Sequence, residues 1–207
     1  MGKLIVAEFV TLDGVAQSPG GPGEDDEGFT HGGWQVPLAG EEDDNMFEEA
    51  KGMDALVLGR RTYEIFANFW PTAPEEIPFT SVFNRIPKYV ASRTLVGPLD
   101  WHGSTIIGEP IAEGVTSIKE RHDEVHVIGS LNLVQSLLRF GLVDRLELLV
   151  YPVLLGSGKR VFSDGTVPTA LLLIKSVSYP NGVLRLSYDT AGTPTYGQIG
   201  SPELASE

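Results

Sequence analysis

The chain has 207 residues, 42% hydrophobic and 21% charged, with no cysteine and a formal net charge of −13. This composition suits one globular domain with a full core and excludes disulfides and thiolate metal sites. The acidity argues against nucleic-acid binding, which draws on a basic surface. No apolar run reaches the roughly 20 residues of a membrane span, and MGKLIVAEFV enters a strand-like run without a signal-peptide pattern, so a cytoplasmic protein is expected.

The charge is unevenly spread. Residues 1–50 hold twelve acids and one base, Lys3, whereas Lys51 to Arg93 bring six bases, including the pair Arg60 and Arg61. A local basic site on an acidic protein suits a small anionic ligand; a mixed solvated surface would look the same.

In chain order, KLIVAEFV (3–10) predicts a strand, followed by a long Gly-, Pro- and acid-rich loop. Loops of that length in compact domains are usually functional or disordered. A helix is predicted over about 40–52, with Met46, Phe47 and Ala50 on its buried side. DALVLG (54–59) reads as a buried strand running directly into the helix RRTYEIFANF, and KYVAS (88–92) as a short strand. IAEGVTSIKERH predicts a helix, EVHVIG (124–129) a strand, LNLVQSLLRFG a helix and DRLELLVYPVLLG a long strand. LLLIKSVSY and VLRLSYD, split by Pro180-Asn181-Gly182, predict a hairpin. Residues 1–190 are thus expected to form a single domain and 191–207 a disordered tail. Strands alternating with helices imply an α/β fold, with a mostly parallel sheet covered on both faces and made mixed by the hairpin.

The segment 54–64 carries the strongest chemical signal. A strand ending at Gly59 and a helix starting at once place free N–H groups and the positive helix end where phosphates bind. Arg60 or Arg61 adds a charge-assisted contact and Thr62 a hydroxyl. The same residues also read as a tight turn followed by two solvated arginines. A second junction, Gly129-Ser130-Leu131, repeats the arrangement, and a dinucleotide needs two such junctions side by side. Ser92 and Arg93 offer a hydroxyl and a guanidinium, or simply a polar loop start.

LGRRTYE, with KYVASRT some thirty residues later, resembles dihydrofolate reductase. VIGSLNLVQSLLRFGLVDRLELLVYPVLLGSGKRVF and the TLDG of Thr11 to Gly14 resemble the C-terminal reductase domain of the bifunctional riboflavin-biosynthesis deaminase/reductase. The resemblance spans about residues 3–189. It implies a three-layer αβα dihydrofolate reductase-like fold, NADPH as hydride donor and a homodimer, with the long strand 146–155 as an interface. It assigns the 59–62 turn and Ser130 to the pyrophosphate, and Arg60, Ser92 and Arg93 to the 2′-phosphate. The first loop, with Ala7, Asp13 and Gly14 at its base, would pass beside the nicotinamide.

The substrate implied is a pterin-like or ribosylaminopyrimidine-like heterocycle. Asp43 falls where dihydrofolate reductases keep a carboxylate that handles a ring proton; four acids at a helix start also suit the helix dipole. GRRT replaces the riboflavin-type Thr-Ser turn. Trp34 reads either as a cover over the active site or as a loop anchor. The four histidines show no metal-ligand spacing, and no metal is expected. A nucleotide-binding protein of the same fold without turnover is the alternative from another functional class.

Overall fold

The computed structural model describes residues 1–25, 27–40, 46, 47 and 50–199. Eight strands form one sheet: β1 (Lys3–Thr11), β2 (Ala55–Gly59), β3 (Lys88–Ala91), β4 (Ser104–Ile107), β5 (Glu124–Ile128), β6 (Arg145–Tyr151), β7 (Leu171–Ser178) and β8 (Leu184–Thr190). Their order is β4-β3-β2-β5-β1-β6-β8-β7. The first six run parallel, and the closing β7–β8 hairpin joins antiparallel through β6. This is the mixed, mostly parallel sheet anticipated from the sequence pattern.

Helices cover both faces. Helices α1 (Arg60–Phe69) and α2 (Phe79–Arg85) pack with the helical residues Met46, Phe47 and Ala50 on one side, and α3 (Ile111–Arg121) and α4 (Leu131–Arg139) on the other. Each face has its own apolar cluster. Val115, Ile118, Val134 and Leu137 bury against Leu4, Val6, Val125 and Val127; Tyr63, Val82 and Phe83 bury against Leu56, Leu58 and Val90. Burial on both faces explains the continuous apolar run of β2. The fully buried Lys88 serves this architecture: its Nζ donates to the carbonyls of Phe83, in the last turn of α2, and Ile86, just after it, and lies 4.3 Å from the Trp101 ring centroid.

Three elements differ from the sequence reading. Helix α2 and strand β4 were not anticipated, being short and set among Pro- and Gly-rich connections. The predicted strand through 155 stops at Tyr151, where Pro152 ends the ladder. β6 is paired on both sides, with Leu146, Leu148, Leu149 and Tyr151 buried, whereas Leu154 beyond its end is exposed. The exposed sheet edge is β7, where Leu171, Leu172, Leu173 and Ile174 are each at least 40% exposed. Of the expected tail, residues 191–199 are irregular and 200–207 lie outside the described residues.

Candidate active site: a cleft where two strand ends part

The chain leaves β2 toward β3 on one side and β5 toward β6 on the other. Their junction is therefore a topological switch point, where open α/β sheets hold ligands. The β2–β5 ladder registers only Ala55–Val125 and Leu56–His126. Beyond Leu56 the strands part, and a cleft of about 960 Å³ opens at their carboxyl ends.

Side chain and backbone bridge the gap. The Gly59 amide donates to Ser130 Oγ at 2.8 Å. A Cβ at Gly59 would lie 3.3 Å from Ser130 Cβ and Oγ, so the missing side chain is what allows the approach. Gly59 has φ −72 and ψ 157, an extended backbone open to any residue, so its role is steric. Gly129 and Ser130 both adopt left-handed backbone, at φ 61 and 65, and turn the chain sharply into α4. A Cβ on Gly129 would stand 3.5 Å from the Thr62 side chain, so the two junctions lie side by side. The amino ends of α1 and α4 thus face one cleft.

Gly59, Arg60, Arg61, Thr62, Ser92, Arg93, Gly129, Ser130 and Leu131 all line this cleft. Arg60 forms a two-pronged contact with Glu64, at 3.0 and 2.9 Å to its two oxygens. Ser92 Oγ accepts from the amides of Thr94 and Leu95, ordering the turn that carries the exposed Arg93. Arg93 makes no hydrogen bond or ion pair among the described residues.

Across the cleft the first loop folds back. Asp25 accepts from Lys159 Nζ at 2.7 Å, Gln17 Nε2 at 2.7 Å and Arg61 at 3.3 Å, while Glu27 pairs with Arg61 and Lys159 at 2.8 Å each. Burial alone would raise the Asp25 pKa; the hydrogen bonds from Lys159, the Glu27 amide and Gln17 outweigh it and lower the value to about 2. The loop therefore straps the α1 side of the cleft to the Gly-rich turn through carboxylates. The sequence pattern reads Gly156 to Lys159 as a turn near the active site, whereas the roles of Asp25 and Gln17 in this wall are hidden in it, because their partners are remote in the chain.

Four expected site residues do not line the cleft. Asp13 accepts from Thr11 Oγ1 at 2.6 Å and from the amides of Leu155 and Gly156, which hold its pKa low despite the opposing desolvation. It ties the β1 turn, with Gly14 at φ 80, to the Gly-rich turn. Trp34 donates from Nε1 to the Gln17 carbonyl and stands edge-on to Tyr151 at 5.5 Å, an anchor for the loop. Ala7 lines a second depression rather than the cleft. Its neighbours Glu8 and Phe9 reach the cleft instead. Asp43 lies outside the described residues.

The second depression, about 250 Å³, shares Met46, Phe79 and Ile128 with the main cleft and ends on a buried Glu147–Arg185 pair at 3.1 Å. Among the described residues no group of histidines and carboxylates could hold a metal ion. No helix there is long and apolar enough to cross a membrane.

The family model of the RibD C-terminal domain matches residues 2–185. The chain belongs to that family. It is 25% identical over 199 residues to the uncharacterized protein YyaP of Bacillus subtilis, covering 92% of this chain and 96% of the relative. Its structure is similar to a pyrimidine reductase-like protein of Corynebacterium diphtheriae (TM-score 0.65, 15% identity, 92% of each chain). A dihydrofolate reductase of Enterococcus faecalis, solved with NADP(H), has a TM-score of 0.56 at 14% identity, covering 91% of this chain and 96% of that one. The fold is dihydrofolate reductase-like. Both families named by resemblance in the sequence are thus represented, the riboflavin-type reductase domain as the family itself.

Proposed function

We propose that this protein is an NADPH-dependent reductase of a small pterin-like or pyrimidine-like heterocycle. The observation that carries this reading is the close pairing of two glycine-opened helix ends, at Gly59 and Ser130, across the split between β2 and β5. The missing Cβ of Gly59 lets Ser130 approach, which brings the free N–H groups of α1 and α4 to one cleft, where a pyrophosphate would meet them. Arg93 and Arg60 line the end of the cleft beside β3, where a 2′-phosphate would meet them. Such a cofactor, when bound, supplies the hydride.

The chain's own residues then have three tasks. The two helix ends orient the cofactor, the strap of Asp25, Glu27 and Lys159 walls the site from water, and the depression against Met46, Met53, Phe79 and Ile128 takes the apolar faces of a ring. A ring there would adjoin the cleft directly, because three of these residues line both spaces. The test is to mix the protein with NADPH and, separately, dihydrofolate and a ribosylaminopyrimidine phosphate, following NADPH absorbance. Oxidation dependent on either heterocycle supports a reductase. Tight NADPH binding without oxidation by either supports a nucleotide-binding protein of this fold.

A further inference from the structure

Glu8 is the one charge inside the apolar run of β1 from Leu4 to Val10. It is 3% exposed, and its Oε1 is buried with no hydrogen-bond partner among the described residues. Desolvation pushes its pKa up to about 8, so the side chain is a protonated acid near neutral pH. A buried polar group left without a partner inside the fold calls for one outside it. Glu8 lines the main cleft, where a bound molecule can reach it.

Its place in the sheet says which part of a ligand it meets. The order β3-β2-β5-β1 sets Ser92 and Arg93 at one end, Gly59 and Ser130 in the middle and Glu8 at the other. Three strand spacings of about 4.8 Å separate the ends by roughly 14 Å, a span suited to an extended dinucleotide. With its 2′-phosphate at Arg93 and its pyrophosphate at the paired helix ends, the second ring comes to rest over β1. A carboxylic acid presents one O–H donor beside one C=O acceptor. That edge is the complement of a primary carboxamide.

Building on the NADPH reading, we infer that the carboxylic acid of Glu8 holds the nicotinamide carboxamide, its O–H donating to the amide carbonyl and its carbonyl accepting from the amide NH₂. The pair fixes the rotation of the ring and therefore which of its faces looks toward the substrate. The charged groups lining the same cleft come from other elements: Asp25 and Glu27 from the first loop, Arg60 and Arg61 from α1, Arg93 after β3, and Lys159 from the Gly-rich turn. None of them contributes to the Glu8 shift, whose cause is burial.

Calorimetric titration of the wild type, Glu8→Gln and Glu8→Leu at pH 6.5 and 9.5 tests the inference, with NADPH and with adenosine 2′,5′-bisphosphate, which lacks the nicotinamide half. NADPH affinity of the wild type should fall roughly tenfold between the two pH values, as the acid ionises and its donor is lost. Glu8→Gln keeps a donor–acceptor edge that does not ionise, so it should bind NADPH alike at both. Glu8→Leu should bind NADPH about tenfold more weakly at pH 6.5. Bisphosphate affinity should be the same in all three proteins. NADPH binding untouched by Glu8→Leu, or a pH fall shared by Glu8→Gln, overturns the role of Glu8 while leaving the cofactor site intact. Equal losses for the bisphosphate overturn it as well, by showing an effect on the fold. A wild type that binds neither nucleotide overturns the NADPH reading itself.

Discussion

The Gly59 amide and the Ser130 hydroxyl meet at 2.8 Å across the gap where β2 and β5 part, and this contact holds the two halves of the cleft in register. Ser130→Ala leaves the Gly59 N–H without that acceptor, at a cost of about 1–2 kcal/mol in stability. Hydrogen exchange reads it directly: the Gly59 amide should exchange faster in the variant, while those of Leu56 and Val57 keep their protection. An unchanged rate at Gly59 would mean that the strand ends are held by other contacts.

Cofactor choice follows from the cations at the β3 end. On the proposed reading Arg93 and Arg60 should favour NADPH over NADH by at least tenfold, since a charge-assisted contact is worth about 1.5–3 kcal/mol. Arg93→Ala should erase most of that preference with little change in NADH affinity. Arg60 is already held by Glu64, so Arg60→Ala should cost less. Fluorescence titration of both nucleotides against the three proteins decides the order.

Glu8 also sets a pH dependence of stability. Its folded pKa, about 8, lies above the ordinary 4.5, so folding favours the protonated form. Stability from this group is full below pH 4.5 and is lost as pH rises through 8. Glu8→Gln should match the wild type in stability near pH 5 and exceed it near pH 9, by up to on the order of 4 kcal/mol, which raises its melting temperature there. Parallel thermal melts at the two pH values that show no divergence would contradict a buried, unpartnered acid.

These residues show what was legible in the sequence and why. Gly59 and Arg60 are adjacent in the chain, and an apolar strand running through glycine into a helix reveals itself locally. The parallel order of the sheet followed from the same alternation of strand and helix. Glu8 passed unnoticed inside an apolar run, although a single charge there is itself a sign of a buried group. The resemblance sets Asp13 beside the nicotinamide and leaves Trp34 as either a cover or a loop anchor, whereas the partners that decide their places, Leu155, Gly156 and Tyr151, stand more than a hundred residues away in the chain. The strap was hidden for the same reason: Asp25 and Lys159 meet only when the sheet brings them together.

That strap has its own signature. The Asp25 pKa of about 2 lies below the ordinary carboxylate value, so its contribution is present above pH 3.8 and lost as pH falls toward 2. Asp25→Asn removes one charge from contacts with half-exposed Arg61 and Lys159, at a cost of roughly 1 kcal/mol. Limited proteolysis should then cut between residues 17 and 28 sooner than in the wild type. Equal cutting would show that Glu27 alone secures the loop.

Self-association, expected from the family resemblance, would use β7 rather than β6. Four consecutive exposed apolar residues on an edge strand form a template for pairing with a second copy. Leu172→Lys, placed within that apolar stretch, should shift the sedimentation coefficient from dimer to monomer without lowering stability by more than about 0.5 kcal/mol. A wild type that sediments as a monomer would remove the dimer from this picture.

The most direct test of a dinucleotide cleft at the parted strands is calorimetric titration of NADPH into the wild type and Gly59→Val. The φ of −72 at Gly59 allows valine in the backbone, so the added side chain acts only on the space beside Ser130. The wild type is expected to bind one NADPH per chain. Gly59→Val is expected to bind at least tenfold more weakly, with a stability loss of only about 1–3 kcal/mol. NADPH affinity equal in the two proteins would contradict the site, and would leave the Gly59–Ser130 contact as no more than a tight junction between strand and helix.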